Sequence, residues 1–182
     1  MPSSEDGGVG VPAAVTAIRD VVGAIAPARP TSPSEQTLLN WLSLHVALES
    51  RLDHDGTAGC KYRSVYELVA ARGHWFIPAA LPPEVQTLPE RQCFANAAAT
   101  EREHPHLVYT EGFAVADGSP VPTAHAWCTD TNGYAIDPTW SDLGGSAYLG
   151  IALPRTLRPR APRNWGVLEA PDSLYPLPRN GL

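Results

Sequence analysis

A cysteine, a histidine and an aspartate follow one another at Cys93, His125 and Asp137, each set among small and apolar residues. These three side-chain types in this order can carry out nucleophilic acyl transfer. A thiol attacks a carbonyl only as the thiolate, and a positive neighbour or a helix N-terminus favours that form. A histidine can take the thiol proton near neutral pH. A carboxylate can hold the imidazole in one tautomer and favour its charged form. The chemistry implied is attack on an amide or related bond, with Cys93 as nucleophile, His125 as base and Asp137 as orienting acid.

Each residue also has a plainer reading. Cys93 opens the stretch Cys93-Phe94-Ala95-Asn96-Ala97-Ala98-Ala99, and an arbitrary cysteine is more often a small core residue than a nucleophile. His125 lies in Thr123-Ala124-His125-Ala126-Trp127, and a histidine inside an apolar strand is more often a satisfied core residue than a catalyst. Asp137 changes the balance. A carboxylate at the end of the apolar run Tyr134-Ala135-Ile136 needs a partner, because burying it alone is costly. An oxyanion would need donors. The backbone N–H of Cys93 is one candidate, and the side chains of Gln92 and Asn96 are others, as oxyanion-hole or supporting residues. Glu111 sits mid-strand, where it either faces solvent or lines a substrate cleft and reads a positive group. Trp127 and Trp140 flank the triad and are assigned to the cleft, where they would exclude water.

The elements that must position these residues can be read locally. Ser32-Pro33-Ser34-Glu35 is a capping box with proline at the first helical position. Leu38, Leu39, Trp41, Leu42, Val46 and Leu48 then mark one broad buried face. Ser64-Val65-Tyr66-Glu67 opens a second helix, closed by Gly73 as a left-handed cap. Residues 74–89, with Pro78, Pro82, Pro83 and Pro89, read as an irregular connection. A third helix runs through Cys93 to about Glu103. A start at Thr87–Glu90 would place Cys93 in its second turn, and a start near Gln92 would place it in the first. Three strands follow, at Leu107–Val115, Thr123–Thr129 and Tyr134–Asp137. Helices first and a meander second make an α+β pattern.

Loop parity decides whether His125 and Asp137 share a face. Side chains alternate along a strand, so Asp137 must oppose an odd-numbered residue. A two-residue Asn132-Gly133 turn would set it against Cys128, on the wrong face. A three-residue loop, Thr131-Asn132-Gly133, sets it against Trp127 and diagonally near His125, with Gly133 left-handed in a bulge.

The segments Gln92-Cys93-Phe94-Ala95-Asn96-Ala97, His125-Ala126-Trp127 and Ile136-Asp137-Pro138-Thr139 resemble the motifs of the transglutaminase-like branch of the papain-like cysteine enzymes. The resemblance covers roughly residues 90–140. It implies a papain-like or transglutaminase-like core, with N-terminal helices packed on a small antiparallel sheet. It also implies the Cys93–His125–Asp137 triad and a thioester mechanism. The family contains peptidases, amidases, protein cross-linkers and inactive members, so the substrate could be a peptide, a protein or a small amide. Arg91-Gln92-Cys93-Phe94 more faintly resembles the arylamine N-acetyltransferases, but the glycine pair before their cysteine is missing. A binding module that kept the fold and lost turnover is the third reading.

Composition bounds the rest. The 182 residues, 43% of them hydrophobic, suffice for one core. The net charge of −6 argues against a nucleic-acid partner. The 19 prolines cluster toward the ends and before Cys93, which divides the chain into an N-terminal segment (1–31), a core domain (32–153) and a Pro/Arg-rich tail (154–182). Helical spacing predicts a short helix over Ala13–Ala26, and Arg155, Arg158, Arg160 and Arg163 suggest an extended arm. No apolar run reaches the roughly 20 residues that span a bilayer, and the start MPSSEDGG lacks signal-peptide features. A cytoplasmic protein without cofactor or membrane partner is expected. The 3 cysteines offer no Cys-x-x-Cys spacing for zinc and no disulfide framework.

Overall fold

The computed structural model describes residues 31–51, 59–140, 144–157, 166–168 and 179–180. The expected Ala13–Ala26 helix and the tail residues Arg158, Arg160 and Arg163 lie outside these.

Helix α1 (Pro33–Glu49) begins at the capping box. Ser32 Oγ accepts from the Glu35 N–H at 3.1 Å, and the Glu35 carboxylate accepts from the Ser32 N–H at 3.2 Å. Losing such a cap costs about 1 kcal/mol. Leu38 and Leu42, one turn apart, are fully buried, whereas Leu44 and Leu48 are exposed. The buried face is therefore narrower than the apolar spacing suggested. Helix α2 (Val65–Arg72) is capped by Ser64, but the Glu67 carboxylate bonds the Arg63 N–H, so the box does not close on Ser64. Gly73 ends α2 with φ −70° and ψ 153°, which is extended and not the expected left-handed cap. The chain runs straight on into a strand, and glycine is required for space: a Cβ would stand 2.5 Å from the Val69 carbonyl oxygen.

That strand, β1 (His74–Pro78), decides the architecture. It is followed by α3 (Cys93–Glu103), β2 (Val108–Ala116), β3 (Thr123–Thr129), β4 (Tyr134–Ile136), β5 (Gly145–Ala152) and a 3-10 turn at Arg155–Leu157. The five strands close into a barrel in the order β1-β4-β3-β2-β5. The β1–β4 pair is parallel and the others are antiparallel. This closure overturns the expected α+β papain-like or transglutaminase-like core with helices on a small antiparallel sheet. The meander β2–β3–β4 exists, but β1 bridges β4 and β5 and removes both sheet edges. Residues 74–89 looked irregular because the run His74-Trp75-Phe76-Ile77-Pro78 is short, ends in proline and pairs only with strands far along the chain.

Alternation along the strands produces two cores. Phe76, Val108, Ala114, Trp127, Ala135, Tyr148 and Ala152 fill the barrel. Tyr109, Phe113, Ala126, Cys128, Leu149 and Ile151 face outward and pack with Leu38, Leu42, Leu68, Val69 and Ala97 of the helices. The alanines of α3 let it lie close on β3, where the Cys128 thiol donates to the Ala97 carbonyl at 3.2 Å. Gly112 of β2 and Gly150 of β5 are partners in the sheet. A Cβ on Gly150 would stand 2.6 Å from the Trp127 ring, so bare backbone makes room for the indole.

Candidate active site

Cys93 is the first residue of α3, with Gln92 at the cap. The helix thus begins at the later of the two starts considered, and Cys93 lies in its first turn. The turn into it is sharp: Arg91 has φ 63°, left-handed for a residue other than glycine. No side chain caps this helix, and no acidic residue lies in its first turn. The partial positive charge of the N-terminus is left for a negative sulfur. The Cys93 N–H is also one of the donors that an α-helix leaves without an intrahelical partner. Gln92 is exposed, immediately ahead of the thiol.

The hairpin has the odd loop that the face argument demands. Cys128 opposes Ile136 and Thr129 opposes Ala135. The next step sets Asp137 beyond Ile136, against Trp127. Gly133 has φ 82°, the left-handed position that glycine tolerates best. His125 and Asp137 consequently meet, with Nε2 and Oδ2 2.8 Å apart and both residues buried.

Every oxygen of Asp137 is occupied. Oδ1 accepts from the backbone N–H groups of Thr139 (2.9 Å) and Trp140 (3.1 Å). Oδ2 accepts from His125 and from the Tyr148 hydroxyl, at 2.8 Å. Burial alone would raise the Asp137 pKa, but the hydrogen bond and charge of His125, with the Thr139 N–H and Tyr148, bring it below 3.8. The group is a carboxylate and can only accept, so His125 Nε2 carries a proton. Burial works to lower the His125 pKa, and the hydrogen bonds to Asp137 and then Cys93 outweigh it, raising the value from 6.5 to about 9. With Nε2 on Asp137, the other ring nitrogen, Nδ1, is left for the Cys93 thiol. Trp140 stacks on the imidazole with centroids 3.7 Å apart and planes 15° from parallel. Trp127 is fully buried inside the barrel, 6.4 Å from the His125 ring.

The other assigned residues fall in different places. Asn96 is buried one turn into α3 and its amide donates to the Pro89 carbonyl (2.7 Å) and Thr139 Oγ1 (2.9 Å). It ties the helix that carries Cys93 to the loop that carries Asp137. Glu111 does not share a face with His125. It pairs with Ala126 on the outward side of β2, where Tyr109 donates to it and the Val167 and Leu168 N–H groups bond it at 2.6 and 2.9 Å. It does not face solvent: it is buried and anchors residues 166–168. The recess beside it, lined by Phe94, Phe113, Ala124 and Leu168, holds about 20 Å³, room for about one water. Arg155 folds back to donate to the Pro105 carbonyl at 3.0 Å, with its Nε 3.7 Å from Glu101.

Tyr148 was not singled out in the sequence. The signal was the alternation Ala147, Leu149, Ile151 on one face of β5, which leaves Tyr148 with its polar tip on the other. Among the described residues no three His, Cys, Asp or Glu side chains are grouped to hold a metal ion, and no helix is long and apolar enough to cross a membrane. No family model, curated protein or solved structure matches this chain.

Proposed function

We propose that the chain is a thiol enzyme, a cysteine hydrolase or acyltransferase that opens an amide bond through a thioester on Cys93. The observation that carries this reading is the buried His125–Asp137 pair, 2.8 Å apart, with Cys93 near enough to help raise the His125 pKa and set at a helix N-terminus that no side chain caps. The three motif segments that resemble the transglutaminase-like enzymes contribute the same three residues.

The reaction follows triad logic on a thiol. His125 Nδ1 takes the Cys93 proton, giving a thiolate–imidazolium pair. The thiolate attacks the carbonyl and forms a C–S bond, and the oxyanion is held by the Cys93 N–H and the Gln92 side chain. Collapse breaks the C–N bond, and His125 gives its proton to the leaving amine. Water or a second amine, deprotonated by His125, then attacks the thioester and releases the thiolate. Asp137 holds the ring and its charge throughout. The substrate class is a peptide, a protein or a small amide, and the cytoplasm, where thiols stay reduced, is the setting that suits this chemistry.

The test is the alkylation rate of each cysteine against pH, followed by mass spectrometry. Cys128 is fully buried and stays inert. An ordinary thiol slows below a pKa of about 8.5. Cys93 should remain reactive well into acid, and His125→Ala should abolish that. A Cys93 that follows the ordinary profile sinks the proposal. Acetyl transfer from an acyl-CoA donor would identify the acyltransferase alternative.

A further inference from the structure

Asp137 Oδ2 receives two side-chain donors, and only His125 belongs to the triad. We infer that Tyr148 is a positioning residue for the proposed chemistry: its hydroxyl restrains the basicity of Asp137 and thereby sets how tightly His125 keeps its proton. The inference rests on the reading of Cys93, His125 and Asp137 as a working triad.

The geometry is built, not incidental. Tyr148 projects into the barrel from β5, whereas His125 comes from β3 and Asp137 from the loop after β4. Its hydroxyl reaches Oδ2 because the residue beneath it is glycine. A Cβ on Gly145 would stand 2.1 Å from the hydroxyl oxygen and 2.3 Å from the ring carbon that bears it. The phenol is thus held between the Gly145 backbone and the carboxylate, with the rings of Trp127 and Trp140 beside it. Burial, and then the negative charge of Asp137, push the Tyr148 pKa far upward, so the phenol remains a neutral donor.

The direction of its effect follows from which oxygen it occupies. Oδ1 is fixed by two backbone N–H groups, so the carboxylate keeps its plane without Tyr148. Oδ2 would lose one of its two donors. The charge there would then fall wholly on the His125 N–H and strengthen its hold on the imidazolium. A base that holds its proton too firmly is slow to give it to a leaving amine. Among the described residues, the groups around His125 that titrate or carry charge are Cys93 from α3, Asp137 from the loop after β4 and Tyr148 from β5.

The experiment is NMR titration of His125 in the full-length protein, run beside the Cys93 alkylation profile, for the wild type, Tyr148→Phe and Gly145→Ala. Tyr148→Phe removes the hydroxyl. Gly145→Ala keeps it but displaces it from Asp137, so a folding defect in one variant leaves the other to report. Both should raise the His125 pKa by about half a unit to one unit, the size expected for one hydrogen bond. The alkaline limb of the Cys93 profile should move with it. A tyrosine that merely fills space would leave that titration where it is, and an unmoved His125 in both folded variants overturns the inference whatever the reactivity of Cys93. Loss of acid-phase reactivity in the wild type overturns instead the proposed function, and with it any catalytic role for Tyr148.

Discussion

His125 Nε2 lies 2.8 Å from Asp137 Oδ2, and both side chains are shut away from water. The pair makes stability depend on pH. The His125 pKa is raised from 6.5 to about 9, so its contribution is complete below 6.5 and is lost as pH rises through about 9. The Asp137 pKa is lowered from 3.8, so its contribution is present above 3.8 and is lost as pH falls through the lower folded value. Thermal melting should therefore occur at a higher temperature at about pH 6 than at about pH 9.5. The difference should shrink in Asp137→Asn. A wild type whose melting is flat across that interval would contradict the charged pair.

Loop parity can be tested by deletion. Removing Thr131 leaves a two-residue turn, which moves Asp137 to the opposite face from His125. Thr131→Ala keeps the length and should behave as wild type. The deletion should lose acid-phase alkylation of Cys93 and unfold at lower denaturant. If the deleted protein keeps that reactivity, register does not govern the pairing.

Asn96→Ala removes the bridge between α3 and the Asp137 loop, and leaves the Pro89 carbonyl and the Thr139 hydroxyl short of a donor. The cost should be about 1–3 kcal/mol, read as a shift in denaturant midpoint. Because the bridge joins the Cys93 helix to the Asp137 loop, the alkylation rate of Cys93 should fall as well. A stability loss without a change in rate would confine Asn96 to packing.

Glu111→Gln tests the anchoring of residues 166–168. One of its two oxygens becomes an amide group facing backbone N–H donors. Hydrogen exchange at Val167 and Leu168 should quicken, while the His125 titration stays where it is. Unchanged exchange at both amides would mean that the carboxylate does not hold the segment.

The sequence by itself determined what a few neighbouring residues can decide. Ser32 and Glu35 lie within one helical turn, so their mutual cap was legible. Strand alternation showed that only an odd loop, such as Thr131–Gly133, lets His125 meet Asp137, and the pairing of Cys128 with Ile136 in the folded hairpin supplied it. Tertiary structure decided whatever depended on distant partners. Barrel closure needs β1 to pair at once with β4 and β5, and nothing local in His74–Pro78 records those partners. Glu111 looked solvent-facing or cleft-lining because the amides that hold it, at Val167 and Leu168, lie far along the chain. Tyr148 meets Asp137 only because the closed barrel brings β5 across from β4, over a glycine that leaves the hydroxyl room. Local hydrogen bonds and alternation are encoded within a turn or a hairpin, whereas a contact across a closed barrel is set by the joint packing of all its strands.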